Sequence, residues 1–131
     1  MNRCIEIHDS TLFEVIEDDE KIILRFNRAY IHQSEGKPGI DSGTGWGQEI
    51  ELELTKAKII VHLKSIPVNL TDGYIKIGQI ISQNCIDLPI KESGNIELWF
   101  QTVQNEEIKI RAQTIISREL NKAEYIEEFK V

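Results

Sequence analysis

The 131-residue chain carries 22 acidic against 15 basic side chains, a formal net charge of −7. A 40% hydrophobic fraction with four Phe, two Trp and three Tyr supplies a core, which excludes a disordered chain. The negative balance argues against nucleic acid, whose binding needs clustered Lys and Arg to release phosphate counterions, and favours a basic protein or a cation.

Apolar and polar residues alternate along almost the whole chain, the period of strands with one buried and one wet face. The first predicted strand, Cys4 to His8, stops at Asp9-Ser10, a pair suited to an Asx-type turn. A second, Thr11 to Ile16, closes on the acidic turn Glu17-Asp18-Asp19-Glu20. The third, Lys21 to Tyr30, places Ile22, Leu24, Phe26 and Tyr30 on one face, and a long loop from Gln33 to Gly45 follows. Strands resume at Trp46 to Leu54, Lys58 to Lys64 and Gly73 to Ile81. Asn84 to Ile90 is short and carries Pro89, so it belongs at a sheet edge or is not a strand. A hairpin of Asn95 to Val103 and Glu107 to Ile116 turns at Gln104-Asn105-Glu106. Leu120, Ala123, Ile126 and Phe129 then recur every three residues behind Ser117, which predicts a short C-terminal helix over 118–130; a last strand at Tyr125 to Phe129 is the competing reading. The pattern as a whole reads as an all-β, mainly antiparallel, single-domain β-sandwich over 1–131.

Met1-Asn2-Arg3-Cys4 runs directly into the first strand, so no secretory leader is expected, and no stretch reaches the roughly 18 apolar residues of a membrane span. Cys4 and Cys85 lie far apart in apolar company, which reads as two buried free thiols in a reducing cytoplasm.

Several constellations bear on chemistry. His8-Asp9-Ser10 names the residues of a nucleophilic triad, but consecutive residues cannot place base, nucleophile and orienting carboxylate in a relay, so no catalytic residue is expected. The stretch 34–47 holds five of the eight glycines. Gly36-Lys37 is followed by Pro38 and then a strand, so it is no phosphate-binding loop; it is a crossing between sheets or a binding loop, with Glu35, Asp41 and Trp46 as the candidate contacts. His8, His32, His62, Asp9 and Asp41 show no metal-ligand spacing, so neither a metal nor another cofactor is expected. Trp99 falls on the polar face with Glu97 and Gln101, which marks a contact surface or a second core layer. Glu49, Glu51 and Glu53 form an acidic ladder on one strand face. With Asp18 and Asp19 they make a negative surface that can steer a basic partner unless facing Lys or Arg neutralise it.

The opening Ile5-Glu6-Ile7-His8-Asp9-Ser10-Thr11-Leu12, followed by a hairpin strand, resembles the start of small all-β bacterial immunity proteins of contact-dependent-inhibition and related polymorphic toxin systems. The resemblance implies a cytoplasmic protein that is no enzyme and that binds and blocks a toxin domain, often a basic nuclease. It carries over no contact residue; the candidates from the chain itself are Asp18, Asp19, Glu49, Glu51, Glu53 and Trp99. The alternative is a ligand-binding, carbohydrate-module-like sandwich that uses the glycine-rich loop 34–47.

Overall fold

In the computed structural model, which describes residues 1–131, the alternating segments become ten strands and no helix. They are β1 (Asn2–Asp18), β2 (Lys21–Ser34), β3 (Gly43–Thr55), β4 (Lys58–Val61), β5 (Val68–Ile77), β6 (Ile80–Gln83), β7 (Cys85–Leu88), β8 (Lys91–Thr102), β9 (Glu107–Glu119) and β10 (Glu124–Phe129). All pairings are antiparallel. The order β3-β2-β1-β5-β8-β9 returns to its start because Ile50–Thr55 of β3 pair with Thr114–Glu119 of β9. Six strands thus close a barrel, and β4, β6, β7 and β10 add to it as extra edges.

The expected sandwich is therefore a barrel. Both architectures impose the same alternation on a strand, so periodicity does not tell them apart; only the choice of partner does. Ile50, Leu52 and Leu54 point into the barrel, and Phe26 meets Phe100 edge to face there at 5.9 Å between centroids. A cluster of 25 buried apolar residues fills the interior.

The predicted C-terminal helix is also absent. Ser117, Arg118 and Glu119 continue β9, opposite Leu52, Glu51 and Ile50, so the residues needed for a first helical turn are already in the sheet. The amino-terminal half of β3 keeps an open edge, and Glu124–Phe129 pair along it as β10. The predicted strand Gly73 to Ile81 divides into β5 and β6 at Gly78, whose φ of +60 suits a tight turn. The first two predicted strands are one, β1, interrupted by a bulge. No helix is long and apolar enough to cross a membrane.

Cys4 and Cys85 form a disulfide, with Cα atoms 5.8 Å apart, and are not the free thiols expected. Their 81-residue separation vanishes because β7 lies beside the start of β1, with Glu6 opposite Cys85 and Cys4 opposite Asp87. The inference of a reducing compartment from free thiols falls with this pairing.

Candidate functional site

The His8-Asp9-Ser10 segment sits in a large bulge of β1. Glu6 is opposite Tyr30 and Thr11 is opposite Arg28, so four residues of β1 face the single residue Ala29 of β2. Ser10 closes the gap. Its buried hydroxyl donates to the Glu6 carbonyl (2.8 Å) and accepts the Tyr30 amide (2.9 Å), in place of the missing ladder bonds. Ile7 still points into the core, while His8 and Asp9 stand on the surface, 3.0 Å apart from Nε2 to Oδ2. Asn84, in the left-handed turn before β7, holds the bulge from the other side. Its carbonyl accepts the Ile7 amide at 3.0 Å, its Oδ1 accepts the His8 amide at 2.7 Å, and its side-chain amide engages His8 Nδ1.

Next to the bulge lies a buried polar pocket on the outside of the barrel. Cys4 and Glu6 of β1 are opposite His32 and Tyr30 of β2, and these are opposite Gly45 and Gly47 of β3. Gly43, Gly45 and Gly47 alternate with Thr44, Trp46 and Gln48, so this stretch of β3 is a strand whose outer face has been stripped of side chains. A Cβ at Gly45 would overlap the hydroxyl end of the Tyr30 side chain, 2.7 Å from Cζ. The Tyr30 hydroxyl donates to Glu127 of β10 at 2.8 Å, and burial together with this carboxylate raises its pKa. Residues 35–42 fold over the top. Asp41 Oδ2 accepts the Lys37 amide at 2.6 Å, and Gly39, at φ +86, brings its amide down onto His32 Nδ1.

Two groups in this pocket lack partners. His32 is fully buried, and its Nε2 has no hydrogen bond beside the Phe129 ring. The Glu6 side chain is 7% exposed and accepts no hydrogen bond; its nearest cation-capable neighbour, His32 Nδ1, is 3.7 Å away and already occupied by Gly39. Burial pushes the Glu6 pKa up, against the pull of His8 and His32.

The same loop forms one wall of a groove of about 780 Å³, which the β5–β6 hairpin and β7 also line, with Asn84 and Cys85 along it. Ile40, Ile80 and Ile81 line it and are 57%, 76% and 52% exposed. Sequence reading missed this surface. The signal was there: Ile80-Ile81 breaks the alternation, which puts one of the two on a wet face in either register.

The predicted contact residues are dispersed. Glu49, Glu51 and Glu53 do lie on the outer face of β3, but Glu51 is only 8% exposed. Arg25 Nε donates to Glu51 Oε1 at 3.0 Å and Arg118 Nη1 to Glu51 Oε2 at 3.3 Å; Arg25 also reaches Glu14 at 2.9 Å. Glu14, Arg25, Glu51 and Arg118 are directly opposite one another on β1, β2, β3 and β9, so they form one belt across four strands. Glu53 joins it through Arg118 and Lys21, and the Arg118 hydrogen bond holds its carboxyl below the usual range. Of the ladder, only Glu49 keeps an exposed carboxylate outside the belt. Asp18 and Asp19 are exposed at the β1–β2 turn, where Asp19 adopts φ 58.

Trp99 stacks on Tyr74 directly opposite it, at 5.6 Å and 30°, on the outer face of β5 and β8. The Tyr74 hydroxyl donates to Glu97, which also faces Arg111 at 3.4 Å; burial and this carboxylate push the Tyr74 pKa up to about 12. Trp46 packs edge to face on Tyr125 at 5.4 Å and donates to Thr44 at 2.8 Å. Glu35 is exposed, and Asp41 is engaged in holding the loop together. No protein-family model, curated protein or solved structure matches the chain.

Proposed function

We propose that this protein is a stoichiometric inhibitor, an immunity protein that binds a basic toxin domain and occludes its active cleft. The observation that carries the reading is the cluster of Ile40, Ile80 and Ile81, more than half exposed around one groove. Single exposed apolar side chains are ordinary, whereas three converging on one concave surface mark a place where a partner excludes water. The net charge of −7 and the unpaired carboxylates of Asp18, Asp19 and Glu49 give a basic partner long-range attraction. Docking energy belongs to the groove and steering to these acids, with the belt around Glu51 reserved for the fold. The reading makes the protein a binder with no catalytic step; a cytoplasmic location rests on the resemblance of its first strand alone, and the Cys4–Cys85 disulfide counts against it.

Co-expression with the toxin domain encoded beside its gene tests this. The wild type should rescue growth, and the double substitution Ile80→Asp, Ile81→Asp should lose rescue while the barrel stays folded. Association should also slow as salt rises from about 0.01 to 0.15 M, where the Debye length shrinks from roughly 30 to 8 Å. A wild type that neither binds nor rescues overturns the proposal. A second reading, a small-ligand-binding module, draws support from the wall that Lys37–Ile40 of the glycine-rich loop contribute to the groove. Its signature would be a thermal shift with a carbohydrate panel that Ile80→Asp abolishes.

A further inference from the structure

We infer that Glu6, His8 and Asp9 form a binding site for a first-row transition-metal dication of the Zn²⁺ class. The β1 bulge is what makes the site. In a regular strand Glu6 and His8 would share a face and Asp9 would point to the other, but the extra residues turn Asp9 back toward His8. One carboxylate oxygen of Glu6, one ring nitrogen of His8 and one carboxylate oxygen of Asp9 thereby come within 4.8 Å of one another. This spacing lets a single ion touch all three at the roughly 2.0–2.2 Å of zinc–nitrogen and zinc–oxygen bonds after small side-chain rotations.

An independent observation points to a cation. The Glu6 carboxylate is 7% exposed and receives no hydrogen bond, and its polar neighbour His32 Nδ1 already accepts the Gly39 amide. An anion buried with no donor is a costly arrangement, and buried charges are ordinarily paired or bound to metal. A cation between Glu6 and the surface pair His8–Asp9 removes that cost.

The donor set selects the ion. An imidazole with two carboxylates suits Zn²⁺ and its neighbours, whereas Mg²⁺ prefers oxygen donors and retained water. The His8 ring is held in place, because Asn84 Nδ2 donates to Nδ1 and Nε2 is turned toward Asp9. In the metal-free chain the ring proton therefore sits on Nε2, toward Asp9. Ligation through Nε2 releases that proton to solvent while Nδ1 takes one up, and the Asn84 side chain must turn its oxygen to Nδ1. Three protein ligands leave the outer coordination position open, next to the groove that Asn84 lines.

Calorimetric titration of the intact, non-reduced protein with Zn²⁺, and absorption spectroscopy with Co²⁺, test the site. One ion per chain should bind, with Mg²⁺ giving no heat. Asp9→Asn, at an exposed position that leaves the fold intact, should weaken binding strongly, and His8→Ala and Glu6→Gln should abolish it. Asn84→Asp, which presents a full carboxylate to Nδ1–H, should tighten binding by about tenfold. His62→Ala removes the exposed His62–Glu17 pair, 3.1 Å apart, and should change nothing. Absence of Zn²⁺ and Co²⁺ binding by the wild type overturns the inference. So does binding that survives in both Asp9→Asn and Glu6→Gln, or that disappears in His62→Ala.

Discussion

Two regions on the outside of one barrel treat charge in opposite ways. In the belt, Glu14, Arg25, Glu51 and Arg118 stand opposite one another on four neighbouring strands, and the most buried member, Glu51, receives a guanidinium on each oxygen. Around the bulge, Glu6 is as deeply buried but receives no donor, and His32 Nε2 is also without a partner. Buried polar groups are normally satisfied, so the belt reads as scaffold and the bulge as the place where something else completes the structure. The groove with its exposed isoleucines opens beside the second region and away from the first.

Substitutions along β3 set the scale of that contrast. Ile50→Asp buries a charge in the barrel interior with no partner and should cost about 4 kcal/mol or more in urea unfolding. Glu51→Lys, one residue on, brings a third cation between Arg25 and Arg118 and should cost about 3 kcal/mol. If Glu51→Lys costs under about 0.5 kcal/mol, the belt contributes nothing and the contrast collapses.

The same chemical change in the two regions should then carry opposite signs. Glu51→Gln leaves two guanidiniums short of an anion and should destabilise by about 1–2 kcal/mol. Glu6→Gln removes an uncompensated buried charge and should be neutral or stabilising in metal-free solution. Stability against pH sharpens the point. The Glu6 pKa is raised by burial, so the folded chain holds its proton longer than the unfolded one, and its contribution falls as pH rises from the ordinary carboxylate range through the raised value. Glu53 and Glu119 are lowered, chiefly by hydrogen bonds from Arg118 and Arg3. Their contribution is complete above the ordinary carboxylate range and is lost as pH falls through the lowered values. Urea midpoints from about pH 3 to 7 should therefore rise first and then flatten or decline, with Glu6→Gln removing the decline. A Glu6→Gln profile identical to the wild type would mean that Glu6 is not the uncompensated group.

The smallest effects belong to the exposed acids. Glu49→Lys and the pair Asp18→Lys, Asp19→Lys should each change stability by less than about 0.5 kcal/mol in thermal unfolding, because all three side chains face solvent outside the belt. A larger loss at Glu49 would extend the belt along β3.

The amino-acid sequence by itself determined most strands and their faces. Tyr30, expected beside Ile22, Leu24 and Phe26, is the exception, because the bulge after Phe26 turns it to the outer face opposite Glu6 and Gly47. Ile50, Leu52 and Leu54 alternate with glutamates, and an antiparallel sheet buries one side of such a pattern whatever its neighbours are; the same holds for Ile96, Leu98 and Phe100. It also placed Trp99 outward and β7 at an edge before Pro89. The tertiary structure decided everything that depends on which strand lies beside which. The return of β9 to β3 made a barrel of the expected sandwich and drew Ser117–Glu119 out of a helix. The docking of β7 on β1 joined Cys4 to Cys85 across 81 residues. The glycines of 43–47 looked like a loop because glycine signals flexibility locally, yet they lie in a strand, where Gly45 leaves room for the Tyr30 phenol and Gly43 for the Gln33 carbonyl, a requirement set by the neighbouring strand. Glu6, between Ile5 and Ile7, carried the signature of a solvent-facing residue. Only the loop folded over it from 35–42 made it a buried one, since desolvation is a property of what lies above a side chain and not of its place in the alternation.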